Sequence, residues 1–156
     1  MSHINPVISE LRARIQRLEG QSTRRSQVLA FGIAEIDDRL PGGGLALGAL
    51  HEVAGGGADA VHGAAAALFV AGIVARTRGD ILWCLKRPDL FAPALAQAGL
   101  HHDRVLYVEA DREEDVLTNF EEGLRFGGPG AAVAELVRLP MTASPRLQLA
   151  AEASRT

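Results

Sequence analysis

The chain has 156 residues, 47% of them hydrophobic and 22% charged, with a formal net charge of -3. That length suits one domain and buries roughly two thirds of the unfolded surface, and the composition excludes a disordered or fibrous chain. A mildly acidic balance removes any global electrostatic case for a nucleic-acid binder, and the single cysteine, Cys84, cannot close an internal disulfide.

Residues 1–6 lack the basic and then apolar pattern of a secretory signal. The longest apolar stretch, residues 63–75, opens with five small residues and falls short of the roughly 20 needed to span a bilayer. A cytoplasmic protein without a membrane segment is expected. Of the 16 basic residues 15 are arginine, so Lys86 is the one lysine.

In residues 6–20 the apolar side chains Ile8, Leu11, Ile15 and Leu18 recur at spacings of three and four, which places them on one helical face. Pro6 suits the first turn and Gly20 the stop. The polar residues 21–27 read as a linker, so residues 1–27 form an amphipathic helix and linker ahead of a core in 28–156. Residues 33–40 follow as a short helix ended by Pro41 and Gly42 to Gly44. A strand is predicted over 45–53, then the glycine-rich loop Gly55, Gly56, Gly57, then an alanine-rich helix from 61 to 76.

Residues 81–85 form a second strand, and Pro88 opens a helix that Gly99 ends. Residues 105–109 are a third strand. Residues 111–126 make a helix whose acidic first turn (Asp111, Glu113, Glu114) suits the positive end of the helix dipole. A fourth strand occupies 130–136, and a last helix starts with Ser144 as N-cap and Pro145 at N1. Strands alternating with helices at this spacing give a mainly parallel α/β sheet. The chain stops just after a helix, where this topology supplies another strand, so the core is expected to be incomplete at its C-terminal end.

A phosphate-binding loop reads G-x-x-x-x-G-K-[ST] between strand and helix: backbone amides approach the phosphates, the lysine neutralises them, and the hydroxyl ligates magnesium. Here Gly55, Gly56 and Gly57 lead to Gly63, and Ala64 and Ala65 stand where the lysine and hydroxyl belong. Asp59 adds a negative charge, and the spacing from Gly57 to Gly63 is one residue too long. The nucleotide site is degenerate, and no cofactor or metal is expected. Lys86 and Arg87, at the end of the second strand, are the only rescue the sequence offers.

Phe31, Gly32, Ile33, Ile36, Asp37, the run LPGGGL from Leu40, then Leu47, Gly48 and Leu50 to Val53 resemble the segment entering the phosphate loop of RecA and its relatives. The stretch from Phe31 to Gly55 resembles more closely the ImuA family of RecA-like mutasome accessory proteins. The resemblance covers residues 28–156. It implies a RecA-like P-loop fold and a role in damage-induced (SOS) error-prone translesion synthesis, in which the chain acts as a scaffold rather than an enzyme. Implied partners are a Y-family-like polymerase subunit, ImuB, an error-prone replicative-type polymerase, and RecA, with self-association left open.

Laid on the RecA pattern, Arg87 stands nearest the water-activating glutamate, and Glu135, inside the fourth strand, is the acid nearest the magnesium-organising aspartate. Lysine, hydroxyl and catalytic glutamate are thus all missing, and no catalytic residue is assigned. The family's DNA-binding loop corresponds to 138–145, which has one arginine at its start and one, Arg146, just beyond it, with no aromatic to stack a base, so direct single-strand binding is not expected. By analogy with the helix that links RecA subunits, Ile8, Leu11, Ile15 and Leu18 are the candidate interface. Two alternatives stay open: a divergent RecA-family ATPase using Lys86 or Arg87, and a cell-division inhibitor like SulA.

Other features read as structural. His101, His102 and Asp103, and the pair His51 and His62, lack a recognised metal-ligand spacing. Cys84 reads as a small apolar filler. The acidic run Asp111, Glu113, Glu114, Asp115, Glu121 and Glu122 contrasts with Arg12, Arg14, Arg17, Arg24 and Arg25, a pairing suited to head-to-tail contact between copies or with RecA.

Overall fold

The structure, a computed structural model, describes residue 10, residues 27–57 and residues 60–156, with residue 60 described by its backbone alone. The helix predicted over 6–20, with Ile8, Leu11, Ile15 and Leu18, lies outside the described residues, as do Ala58 and Asp59. Two compact units divide the chain, Met1–Leu47 and Gly48–Thr156.

In the first unit β1 (Val28–Leu29) pairs antiparallel with β2 (Leu45–Ala46), Val28 opposite Ala46 and Leu29 opposite Leu45. Between them lie α1 (Ala34–Asp37) and a 3-10 turn, Pro41–Gly43. The Asp37 carboxylate accepts the N–H groups of Phe31 at 2.7 Å and Gly32 at 2.8 Å, closing the loop that precedes its own helix. Gly44 is required by close approach: a Cβ there would stand 2.5 Å from the Leu29 carbonyl oxygen.

The second unit is a three-stranded parallel sheet with helices on both faces. Its elements are α2 (Ala60–Val74), β3 (Ile81–Leu85), α3 (Ala92–Gln97), β4 (Val105–Glu109), α4 (Glu113–Phe126), β5 (Ala131–Ala134) and α5 (Ser144–Ser154). The strand order is β4-β3-β5, with Trp83 opposite Tyr107 on one side and Val133 on the other. As the central strand β3 is apolar throughout, because both of its faces are covered. Ile81, Trp83 and Leu85 pack with Ala71 and Val74 of α2 and Leu95 of α3. Cys84 packs on the opposite face with Val116, Phe120 and Leu124 of α4 and Leu147 and Ala151 of α5.

Polar side chains tie this frame at two places. The Arg104 guanidinium donates to the carbonyls of Ala75, Thr77 and Gly79, fixing the turn from α2 into β3. Glu121, buried on α4, accepts from Arg125 at 2.7 Å and from Arg146 of α5 at 2.8 Å.

Three expectations need correction. The strand predicted over 45–53 ends at Ala46; Leu47 still donates to the Gln27 carbonyl, but Gly48 then turns with φ of +66° and residues 50–55 join no ladder. The strand expected to lead into the glycine-rich loop is therefore absent from the parallel sheet, and His51 to Ala54 are solvent-exposed. Pro88 does not open α3; Pro93 does, inside its first turn. Ser144 is the first residue of α5 rather than its cap: the N-cap position falls to Ala143, which is buried and offers no side-chain hydrogen bond.

The entry to β5 is tightly set. Gly130 donates its N–H to the Asp80 carbonyl at 2.7 Å, and a Cβ on Gly130 would overlap the Arg78 carbonyl oxygen. Gly130→Ala forces backbone against backbone and is expected to lower stability by about 1–3 kcal/mol, read as a lower urea midpoint with an unchanged slope.

Candidate functional site

The glycine-rich loop is built around a histidine. A Cβ at Gly55 would lie 2.7 Å from the His62 Cβ, and one at Gly57 would lie 2.6 Å from the His62 ring. These two glycines let the backbone close over His62 on the next helix, the same permissiveness that elsewhere admits a phosphate. α2 begins at Ala60, so from Ala64 onward the amides pair inside the helix. Gly63, Ala64 and Ala65 are exposed in its first turns, where neither alanine offers a cation or a hydroxyl.

A crevice opens at the C-terminal ends of β3 and β5. The loop leaving β3 runs to α3 on one face of the sheet and the loop leaving β5 runs to α5 on the other, the divergence at which open α/β sheets bind ligands. Its volume is about 340 Å³, and it is lined by Lys86, Arg87, Asp89, Glu113, Glu135, Leu136 and Val137. The sequence singled out Lys86 as a rescue cation and, by resemblance to RecA, Arg87 and Glu135; all three line this crevice. Gly55, Gly56, Gly57, Gly63, Ala64 and Ala65 are not in that lining.

Two carboxylates in the crevice are already engaged. Glu135 Oε1 accepts the indole N–H of the fully buried Trp83 at 2.8 Å. Glu113 Oε1 accepts the backbone N–H groups of Val137 at 2.5 Å and Arg138 at 3.0 Å. The sequence marks Glu113 only as a helix-dipole residue; its tertiary role depends on a loop 24 positions away and leaves no local signature.

Burial lifts the Glu135 carboxyl above the ordinary glutamate range, the Trp83 hydrogen bond draws it partly back, and the nearby Asp89 charge raises it further. The folded protein therefore holds this proton more tightly than the unfolded chain. Its contribution to stability is largest below the ordinary value of about 4.3 and is lost as pH rises through the raised folded value. Glu135→Gln keeps an oxygen for Trp83 and removes the buried charge, so at about pH 7 it is expected to raise Tm by on the order of 1–2 °C. That gain should vanish below about pH 4, which thermal melts at the two pH values would check.

The other sequence candidates do not form a site. Among the described residues no group of three or more His, Cys, Asp or Glu is placed to hold a metal ion. His101 lies 3.8 Å from Asp103, with both side chains largely exposed. Cys84 is fully buried, and desolvation pushes its thiol up to about 11, which disfavours the nucleophilic thiolate. Half of the acidic run is engaged: Glu113 holds backbone amides, Glu114 pairs with Arg112 at 3.1 Å, and Glu121 binds two arginines. Among the described residues no helix is long and apolar enough to cross a membrane.

No family model matches the chain. It is 42% identical over 139 residues to Protein ImuA of Caulobacter vibrioides, equally in strain NA1000 / CB15N and in strain ATCC 19089 / CIP 103742 / CB 15. Each alignment covers 86% of this chain and 57% of the relative, so the chain spans little more than half the length of the curated proteins it matches. Among solved structures it is similar to SulA from Pseudomonas aeruginosa, at 24% identity and a TM-score of 0.48, over 60% of this chain and 83% of that one.

Proposed function

Because the chain belongs to the ImuA family over the 139 residues it shares with those proteins, we propose that it is a non-catalytic, RecA-like accessory protein of damage-induced error-prone DNA synthesis. It works by contact, holding mutasome polymerases together. The observation that carries this reading is the 42% identity across 86% of the chain. It is supported by the chemistry of the degenerate loop, where Ala64 and Ala65 replace the cation and hydroxyl that a triphosphate with magnesium requires. The three-stranded parallel sheet covered on both faces is compatible with a RecA-like core.

The contact surface is assigned on sequence grounds to the amphipathic face of Ile8, Leu11, Ile15 and Leu18, since an apolar stripe at helical spacing is what a partner's groove reads. Its partners are the Y-family-like subunit ImuB and the error-prone replicative-type polymerase. Paired substitution Leu11→Asp and Ile15→Asp puts two charges on that stripe and is expected to weaken capture of ImuB by the tagged chain at least tenfold. The second unit should keep its melting temperature. Undiminished capture of both polymerases would remove this face from the account.

A further inference from the structure

We propose that the backbone amides of Val137 and Arg138, with Lys86 and Arg87 on the same crevice, form an oxyanion site that Glu113 fills from within and that a phosphate or carboxylate group enters by displacing it. The inference goes beyond the scaffold reading and does not depend on it.

Three observations converge. First, two successive N–H groups donate to a single oxygen, Glu113 Oε1, at 2.5 and 3.0 Å. Consecutive amides aimed at one point are the arrangement by which backbone binds anions. Second, that oxygen belongs to a different element from the amides: Glu113 opens α4, whereas Val137 and Arg138 follow β5. The anion can therefore be exchanged without unmaking the loop itself. Third, Lys86 and Arg87 line the same crevice, both are exposed, and neither has an ion-pair partner among the described residues. Two cations on the crevice that Glu113 and Val137 also line add charge to the directed hydrogen bonds that the two amides offer an incoming group.

The lining also limits the ligand. Asp89 and Glu135 sit in the same crevice and repel a highly charged guest. That repulsion favours a single phosphate or carboxylate over a triphosphate. The site therefore suits one phosphorylated or acidic side chain of a partner, or a free phosphate monoester.

The test follows the amide resonances of Val137 and Arg138 in the full chain labelled with nitrogen-15, titrated with inorganic phosphate and, separately, with a short glutamate-containing peptide. Sodium chloride at matched ionic strength is the control. Glu113→Ala should give saturable shifts at both amides, at an affinity at least tenfold above that of the unsubstituted chain. Adding Lys86→Ala and Arg87→Ala should abolish saturation. Stronger saturation with phosphate would identify a phosphorylated ligand, and stronger saturation with the peptide an acidic one. Glu113→Gln, which keeps the shape of the side chain and weakens the acceptor, serves if the alanine variant loses its dispersed spectrum. The inference is overturned if chloride produces the same shifts, if neither anion saturates in either variant, or if saturation survives loss of both cations.

Discussion

Trp83→Ala is expected to cost about 3–5 kcal/mol of stability, the range for emptying a large aromatic from a core. Trp83 is fully buried at the middle of the central strand, and it is the only tryptophan in the chain. Its removal leaves a void between β3 and the layer of α2 and α3 and takes away the donor that Glu135 now accepts from. Total stabilities of domains this size are about 5–15 kcal/mol, so the variant should unfold at much lower urea, or fail to fold. Trp83→Phe helps to separate the two parts: it keeps most of the volume and loses the hydrogen bond. Its expected cost is about 1–2 kcal/mol, measured by urea denaturation followed by circular dichroism.

Leu147→Ala makes the matching test of the opposite face. Leu147 of α5 is fully buried and belongs to the cluster with Cys84, Val116 and Phe120. Truncation is expected to cost about 2–5 kcal/mol. Since the two sites lie on opposite faces and share no cluster, the losses from Trp83→Phe and Leu147→Ala should add within about 0.5 kcal/mol. A large coupling term would mean that β3 transmits strain from one layer to the other.

How far the fold was legible depended on whether a segment's partners were local. The apolar run Ile81 to Leu85 reads as a strand and is one, covered on both faces, and the helix read over 111–126 is found as Glu113–Phe126, ended at Gly127 with φ of +67°. Residues 45–53 misled because their apolar side chains suit a strand, yet a ladder also needs a neighbour. Val28 and Leu29 pair with its first two residues, and Gly48 then diverts the chain. Ser144 misled in another way: cap preference describes an isolated helix end, whereas the buried Ala143 sets where α5 begins.

The site was legible in part. Lys86 and Arg87 stand out at the end of a strand, whereas Glu135, read as lying inside its strand, directly follows β5, and parallel topology brings such strand ends to one rim. Trp83 with Glu135 is a cross-strand bond between positions 52 apart, and Glu113 with Val137 and Arg138 is a helix-to-loop bond. Both depend on register, which hydrophobic pattern sets only to the level of which face a residue occupies. The acidic residues of α4 illustrate the same limit: composition suggests a free negative patch, and the packing of α5 and the 137–138 loop engages two of its members, Glu121 and Glu113.

Action by contact without turnover is tested most directly by phosphate release from magnesium-ATP by the full chain, alone and with its polymerase partners. Release at the rate of the buffer blank is expected in both cases, unchanged by Lys86→Ala or Glu135→Gln. Saturable release above the blank, abolished by either substitution, would contradict the account.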